Sequence, residues 1–203
     1  MSNLFSGSIR FSHGFTSVKI REVSIWLKDQ DLCLSLLSMA FRIRLAKENF
    51  KFSCSHFTIF SQDAAEALHG HNYYVSAEFG VTELDPRLGM AFDFNLLKPL
   101  VRELADRLDE KVLIPSNSPF LKIESKAESV RVSFGKKNYE FPASDVLLLD
   151  VVNITAEELA RTFASEVASA IKKNARAELK KVTSVSIGIE ETRGQTVFFD
   201  IGL

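Results

Sequence analysis

Cysteine is scarce in this chain. Cys33 and Cys54 are the only two, too few for a disulfide framework and in keeping with a reducing compartment. Long apolar runs are missing as well, and nothing approaches the roughly 18 residues that a membrane span needs. The most apolar N-terminal stretch, Leu32 to Ala40, follows Lys28, Asp29 and Asp31. It lacks the basic start and clean apolar centre of a signal peptide. There is no basic excess: the formal net charge is -1 over 203 residues, so the electrostatic footprint of nucleic-acid binding is absent. Like-charged blocks, repeats and low-complexity tracts are missing too. What remains is an ordinary globular composition, 46% hydrophobic and 25% charged, at a length that supports one domain with a real core. The expected setting is cytoplasmic, with neither membrane nor nucleic acid as a partner.

Against this plain background three of the four histidines, His56, His69 and His71, stand out. His69-Gly70-His71 leads into a strand-like run, Tyr73 to Val81, whose odd positions are apolar (Tyr73, Val75, Ala77, Phe79, Val81). Strand side chains alternate faces, so His69 and His71 share the inward parity. Upstream, Phe50, Phe52, Cys54 and His56 form a second inward row, with Lys51, Ser53 and Ser55 facing out. If the two strands pair, three imidazoles meet on one interior face. Three histidines with one open position make a catalytic rather than a closed structural zinc site. The competing reading is three separate core histidines with their nitrogens satisfied by hydrogen bonds.

Residues 1 to about 38 show no clear amphipathic period, and Met39 precedes the first good strand pattern. The expected organisation is an N-terminal extension over 1–38 and a main domain over 39–203, with Met39 as a candidate natural start. Phe41 to Val81 reads as two long strands joined by a polar connection near Ser61 to Glu66. Asp93 is placed to cap a helix through Leu108, with Leu97, Leu100, Val101, Leu104 and Leu108 at helical spacing. A less regular insertion spans about 112 to 150. Within it Gly135-Lys136-Lys137-Asn138 separates two alternating runs, the pattern of a hairpin. Thr155-Ala156-Glu157-Glu158 is a capping-box start for a second helix, with Leu159, Phe163, Val167 and Ile171 as its core stripe. Val182 to Glu191 and Gln195 to Ile201 are the closing strands. This order predicts an α+β protein: an antiparallel four-stranded sheet with two helices on one face, plus an inserted hairpin.

In the third main strand Val185, Ile187 and Ile189 face inward, and Glu191 continues their parity. A buried carboxylate is costly without a partner. A ligand with two adjacent N–H donors would satisfy both of its oxygens. Alternatively the strand ends first, and Glu191 is solvated or pairs with Arg193.

The segments Phe52-Ser53-Cys54-Ser55-His56, His69-Gly70-His71-Asn72-Tyr73, Gly89-Met90-Ala91-Phe92-Asp93-Phe94, Leu108-Asp109, Thr155-Ala156-Glu157 and Glu191-Thr192 occur in order. Together they resemble the 6-pyruvoyltetrahydropterin synthase and 6-carboxytetrahydropterin synthase family over roughly residues 41 to 203. The resemblance implies the tunnelling fold, in which strands of several subunits close a barrel and the active sites lie between subunits, in a homotrimer or homohexamer. It implies Zn2+ on His56, His69 and His71, and a pterin held through its amidine nitrogens by Glu191. Thr155 and Glu157 would lie beside the pterin from a neighbouring subunit. The implied substrate is 7,8-dihydroneopterin triphosphate, and the activity is a carbon–oxygen lyase forming a 6-carboxy-, 6-pyruvoyl- or 6-hydroxymethyl-pterin.

Two positions depart from the family pattern. The stretch before His69, Ser61 to Leu68, carries no catalytic cysteine, and Asp109 is followed by Glu110 where the family has a histidine. Glu66 is the expected replacement base, with Asp109 assisting and Glu110 a weaker candidate. Cys54 is expected to be a small packing residue. The rival expectation is a pterin- or purine-binding protein that keeps the metal and the anchor but has lost catalysis.

Overall fold

The computed structural model describes the backbone of residues 10–12, 15–20 and 23–27 and the whole of residues 41–203. The chain divides into two compact units, Met1–Phe41 and Arg42–Leu203. In the first, β1 (Arg10–Ser12), β2 (Phe15–Ile20) and β3 (Val23–Leu27) form a small antiparallel sheet. Periodicity marks no element there because the strands are three to six residues long, near the shortest run in which alternation can be counted. Met39, the candidate start, lies outside the described residues.

The remaining strands and α-helices are β4 (Phe41–Leu45), β5 (Lys51–His56), β6 (His69–Val81), α1 (Lys98–Leu108), β7 (Lys111–Pro115), β8 (Lys122–Ser125), β9 (Ser129–Phe134), β10 (Lys137–Pro142), β11 (Val146–Leu149), α2 (Ala156–Lys173), β12 (Val182–Thr192) and β13 (Gln195–Gly202). The main sheet has seven strands in the order β11-β7-β5-β6-β12-β13, with β4 also paired to β6. The α+β class stands, but the sheet is larger than the four antiparallel strands expected. β7 lies parallel to both β5 and β11. These two strands read Lys-Val-Leu-Ile-Pro and Val-Leu-Leu-Leu. Continuous apolar runs carry no alternation to betray a strand, and in β11, at the edge of the sheet, Leu148 stays exposed. The stretch ahead of the histidine pair also divides, into β4 and β5. The insertion is a three-stranded meander, β8-β9-β10, rather than a hairpin.

Asp93 caps as expected, but on a 3-10 turn, Phe94–Leu96, through a 2.9 Å bond from Asn95 N–H. The α-helix starts later, with Pro99 in its first turn, where a missing N–H costs nothing. Thr155 caps α2, accepting from Glu158 N–H at 3.3 Å. Leu97, Val101, Ala105 and Leu108 of the first helical segment, and Leu159, Phe163, Val167 and Ile171 of α2, bury against the inward rows of β5, β6 and β12 in one cluster. Both helices therefore cover one face of the sheet. Phe163 stacks on Phe52 (5.9 Å between centroids), and Phe52 stacks on Tyr73 (5.0 Å). Truncating so buried a ring as Phe163 costs about 3–5 kcal/mol. This aromatic row runs from the helix layer to the histidines. A second cluster, Phe57, Ile59, Ile114, Val130, Val132 and Phe134, lies under the insertion. Among the described residues no helix is long and apolar enough to cross a membrane.

Candidate metal centre and adjoining cleft

β5 and β6 pair with His56 opposite His69 and Cys54 opposite His71. Inward parity and this register together bring the three imidazoles to one place. Ring centroids lie 4.8 Å apart for His56–His69, 5.4 Å for His56–His71 and 4.7 Å for His69–His71. One nitrogen from each ring falls within 4.8 Å of the other two. Gly70 separates His69 from His71 where β5 passes close: a Cβ there would meet the Cys54 carbonyl at 3.1 Å.

The donor set fits a divalent cation. His69 Nδ1 lies 2.9 Å from the Ala67 carbonyl. That acceptor places the ring proton on Nδ1 and leaves the Nε2 lone pair facing inward, the orientation that a ligating imidazole requires. His69 Nε2 and His71 Nε2 are 2.9 Å apart. Two lone pairs at that distance repel unless a proton or a cation lies between them. Around tetrahedral zinc, bonds of about 2.0–2.1 Å place nitrogens about 3.4 Å apart, a small adjustment. His56 is fully buried, and its Nδ1 makes no hydrogen bond of good geometry. Burial, and then the neighbouring His69, push its pKa down and favour the neutral ring, and its Nε2 lies 3.0 Å from Tyr73 Oη.

Two carboxylates flank the cluster. Glu191 Oε1 lies 3.7 Å from His56 Nε2 and 3.9 Å from His71 Nε2, and accepts from Tyr73 Oη–H at 2.6 Å. Burial, followed by Glu191, raises the Tyr73 pKa far above its usual value, so the phenol stays a donor. The β12–β13 register slips between Glu190 and Thr192. Glu191 is thus the extra residue of a β-bulge, a device that re-aims a side chain at a strand end. Glu191 neither lies past the strand nor turns to Arg193.

Glu66 sits in the connection between His56 and His69. That connection folds as a small hairpin, with Ile59 bridging Ala65 and Phe60 N–H bonded to the Ala64 carbonyl at 2.8 Å. Thr58 N–H donates to Glu66 Oε2 at 2.9 Å, and Glu66 N–H returns a 3.0 Å bond to the Thr58 carbonyl. The same Oε2 is 3.9 Å from His69 Nε2. Burial opposes the charge on Glu66, but the Thr58 amide and the nearby His69 outweigh it and hold the pKa below the ordinary carboxylate value. Asn153, just ahead of α2, accepts from Ile59 N–H at 3.1 Å and donates to its carbonyl at 2.9 Å, fastening the hairpin to the start of α2. A cleft of about 440 Å3 results, lined by Thr58, Glu66, Thr155, Glu157, Glu191 and Val197. This is the size range of small-molecule sites. Four of the expected non-metal site residues therefore share one cleft within a single chain.

Asp109 is not in that cleft. Its Oδ1 accepts from Ser53 N–H at 2.7 Å, tying the end of α1 to the middle of β5. Glu110 follows at φ 58°, in the left-handed region. It lines a separate cleft of about 430 Å3 with Ser53, Asn72, His71 and Lys111. Cys54 is a buried free thiol outside the three-residue ligand cluster.

Sequence reasoning passed over Tyr73 as a ligand to Glu191, and passed over Thr58 and Asn153 altogether. Tyr73 shows only as another inward aromatic, and its acceptor is 118 residues away. Asn153 carries a weak signal, a polar residue directly ahead of an apolar position and a helix cap.

The α+β sheet thus carries three imidazoles that could hold a metal ion, beside a small-molecule-sized cleft lined by three carboxylates, Glu66, Glu157 and Glu191. The chain belongs to the 6-pyruvoyl tetrahydropterin synthase family, whose profile matches residues 44–200. A Methanocaldococcus jannaschii protein provisionally named 6-carboxy-5,6,7,8-tetrahydropterin synthase is 31% identical over 146 residues, 71% of this chain and 86% of that one. A Pyrococcus horikoshii protein of the same provisional name is 29% identical over 133 residues, 65% of this chain and 76% of that one. The crystal structure of Plasmodium vivax 6-pyruvoyl tetrahydropterin synthase superposes with a TM-score of 0.71 at 22% identity, covering 80% of this chain and 98% of that one. That likeness shows the tunnelling fold. Two further structures of the P. vivax protein carry Ala or Cys in place of a glutamate identified as a catalytic residue.

Proposed function

We propose that this protein is a zinc-dependent lyase of the pterin-synthase type, acting on 7,8-dihydroneopterin triphosphate to release a 6-substituted pterin. The observation that carries the reading is the convergence of His56, His69 and His71 with Glu66 on one side and Glu191 on the other. His56, His69 and His71 would hold the ion, which when bound supplies Lewis-acid stabilisation of oxyanions on the substrate side chain.

The protein's own groups divide the remaining work. Glu191, steadied by Tyr73, offers a carboxylate to the paired N–H donors of the pterin ring, with Thr155 and Glu157 beside it. Glu66, ionised and hydrogen-bonded to Thr58, accepts a proton from the substrate side chain. A positioned base of this kind contributes on the order of 100- to 10,000-fold. The catalytic glutamate of the P. vivax relative supports a carboxylate in this role. Asp109 assists as a proton acceptor. Its place outside the cleft of one chain makes that assistance dependent on assembly into a trimer or hexamer. The eight-residue β13 at the end of the sheet order offers an edge for such assembly. The product belongs to the 6-carboxy-, 6-pyruvoyl- or 6-hydroxymethyl-pterins, and the shared name of the archaeal relatives supports the first.

The decisive experiment incubates zinc-loaded protein with 7,8-dihydroneopterin triphosphate and identifies the products by mass, for wild type and Glu66→Ala. The expected outcome is a 6-substituted pterin from wild type, and loss of turnover with retained pterin binding in the variant. A wild type that binds pterin tightly without converting it would instead favour a pterin- or purine-binding protein. The missing cysteine and histidine of the family pattern give that second reading its weight.

A further inference from the structure

The insertion makes a contact that the proposed chemistry does not use. Lys137, the first residue of β10, donates from Nζ to two consecutive carbonyls, Ala65 at 3.2 Å and Glu66 at 2.9 Å. The next carbonyl, that of Ala67, is taken by His69 Nδ1 at 2.9 Å. Three successive peptide oxygens of the Glu66 segment are thus held, two by the insertion and one by a histidine of the cluster. The apolar side of the same segment is held as well. Phe57 and Ile59 bury against Val130, Val132 and Phe134 of β9, with Ala65 and Leu68 packed onto that cluster. The ring of Phe57 stacks on Tyr139 of β10 at 5.6 Å.

We infer that the insertion is a brace for the base-bearing hairpin, and that Lys137 is the positioning residue that fixes Glu66 relative to His69. The inference rests on Glu66 acting at the metal cluster and adds what keeps it there. A hairpin of this length is not stable alone. Asn153 fastens its first strand, at Ile59, while Lys137 fastens its second, where Glu66 sits. A lysine has three donors and no acceptor, so it can hold adjacent carbonyls at once, and its charge strengthens both bonds. A displacement of about 1 Å at a proton-accepting group is enough to cost roughly 100-fold in rate.

The test compares wild type, Lys137→Met and Lys137→Arg in the full-length protein. The Met variant keeps the apolar stem and loses the donors. Amide hydrogen exchange of the peptide spanning residues 57–68 is followed by mass spectrometry, beside zinc content and steady-state kinetics on 7,8-dihydroneopterin triphosphate. In Lys137→Met the segment is expected to exchange about tenfold faster, with zinc content unchanged. The expected kcat is about tenfold lower with KM nearly constant, and Lys137→Arg should recover most of both. Exchange at the wild-type rate in Lys137→Met overturns the inference whatever the kinetics show. Faster exchange with unaltered kcat overturns the positioning role. Should wild type not turn over at all, the lyase reading fails while the exchange result still decides the brace.

Discussion

Tyr73 donates its phenolic hydrogen to Glu191 across 118 residues of sequence, at 2.6 Å, and the same hydroxyl oxygen lies 3.0 Å from His56 Nε2. One buried side chain thereby touches both the candidate ring-anchoring carboxylate and a candidate metal ligand. Phe52, stacked on Tyr73, fixes its depth.

Removing that hydroxyl should loosen Glu191 more than it disturbs the fold. Tyr73→Phe keeps the shape and deletes a hydrogen bond to a charged group, worth about 1.5–3 kcal/mol. We expect pterin affinity to fall by about tenfold or more while zinc content stays at wild-type level. Fluorescence titration with a pterin, beside elemental analysis, reads both. Unchanged affinity would separate Tyr73 from the anchor.

Loss of one imidazole should empty the metal site. For His69→Ala, zinc is expected to fall from roughly one ion per chain to near zero, because two remaining histidines leave a catalytic-type site short of its third protein ligand. The circular dichroism spectrum should be preserved, since His69 is only partly buried. Full zinc content in the purified variant would place the ion elsewhere.

Cys54 should be chemically quiet. Burial, then the charges of Glu191 and Asp109, push its thiol up to about 12, and only the thiolate reacts. At pH 8 the native protein should be alkylated at Cys54 roughly a thousandfold more slowly than the urea-unfolded chain, given an ordinary thiol value near 8.5. Peptide mapping after a timed iodoacetamide pulse measures the ratio. Rapid native labelling would mean that the strand face is open.

Stability of the metal-stripped protein should depend on pH through His56. Its folded pKa is held below the unfolded value of about 6.5, so the unfolded chain binds the extra proton. Stability is then complete above pH 6.5 and declines as the pH falls through 6.5 towards the folded value. Thermal melts of chelator-treated protein between pH 8 and 5, with His56→Asn as the comparison, should show a slope in wild type that flattens in the variant. Equal slopes would remove His56 as the source.

The histidine cluster was legible because it obeys a local rule. Alternation alone puts His56, His69 and His71 on one face, and the register of β5 on β6 does the rest. Glu191 was legible for the same reason, though the bulge beneath it was not. The helix stripes survived with small shifts: Ala105 joined the fully buried row, while Leu100 and Leu104 are only partly buried against it. What escaped were contacts without a period. β7 and β11 carry no alternation. Lys137 is a surface lysine until the meander brings it to a hairpin 71 residues upstream. Asp109 satisfies a backbone amide of β5 rather than facing the cleft, and no spacing rule distinguishes those fates.

The slip in pairing at Glu190 to Thr192 has a consequence for engineering and descent alike. Excising one residue there would mend the ladder, and the next side chain carried to the inner face would be that of Thr192, a hydroxyl in place of a carboxylate. A shorter, more regular hairpin would emerge with no carboxylate at that position, so the placing of Glu191 beside His56 and His71 depends on keeping this irregularity in the sheet.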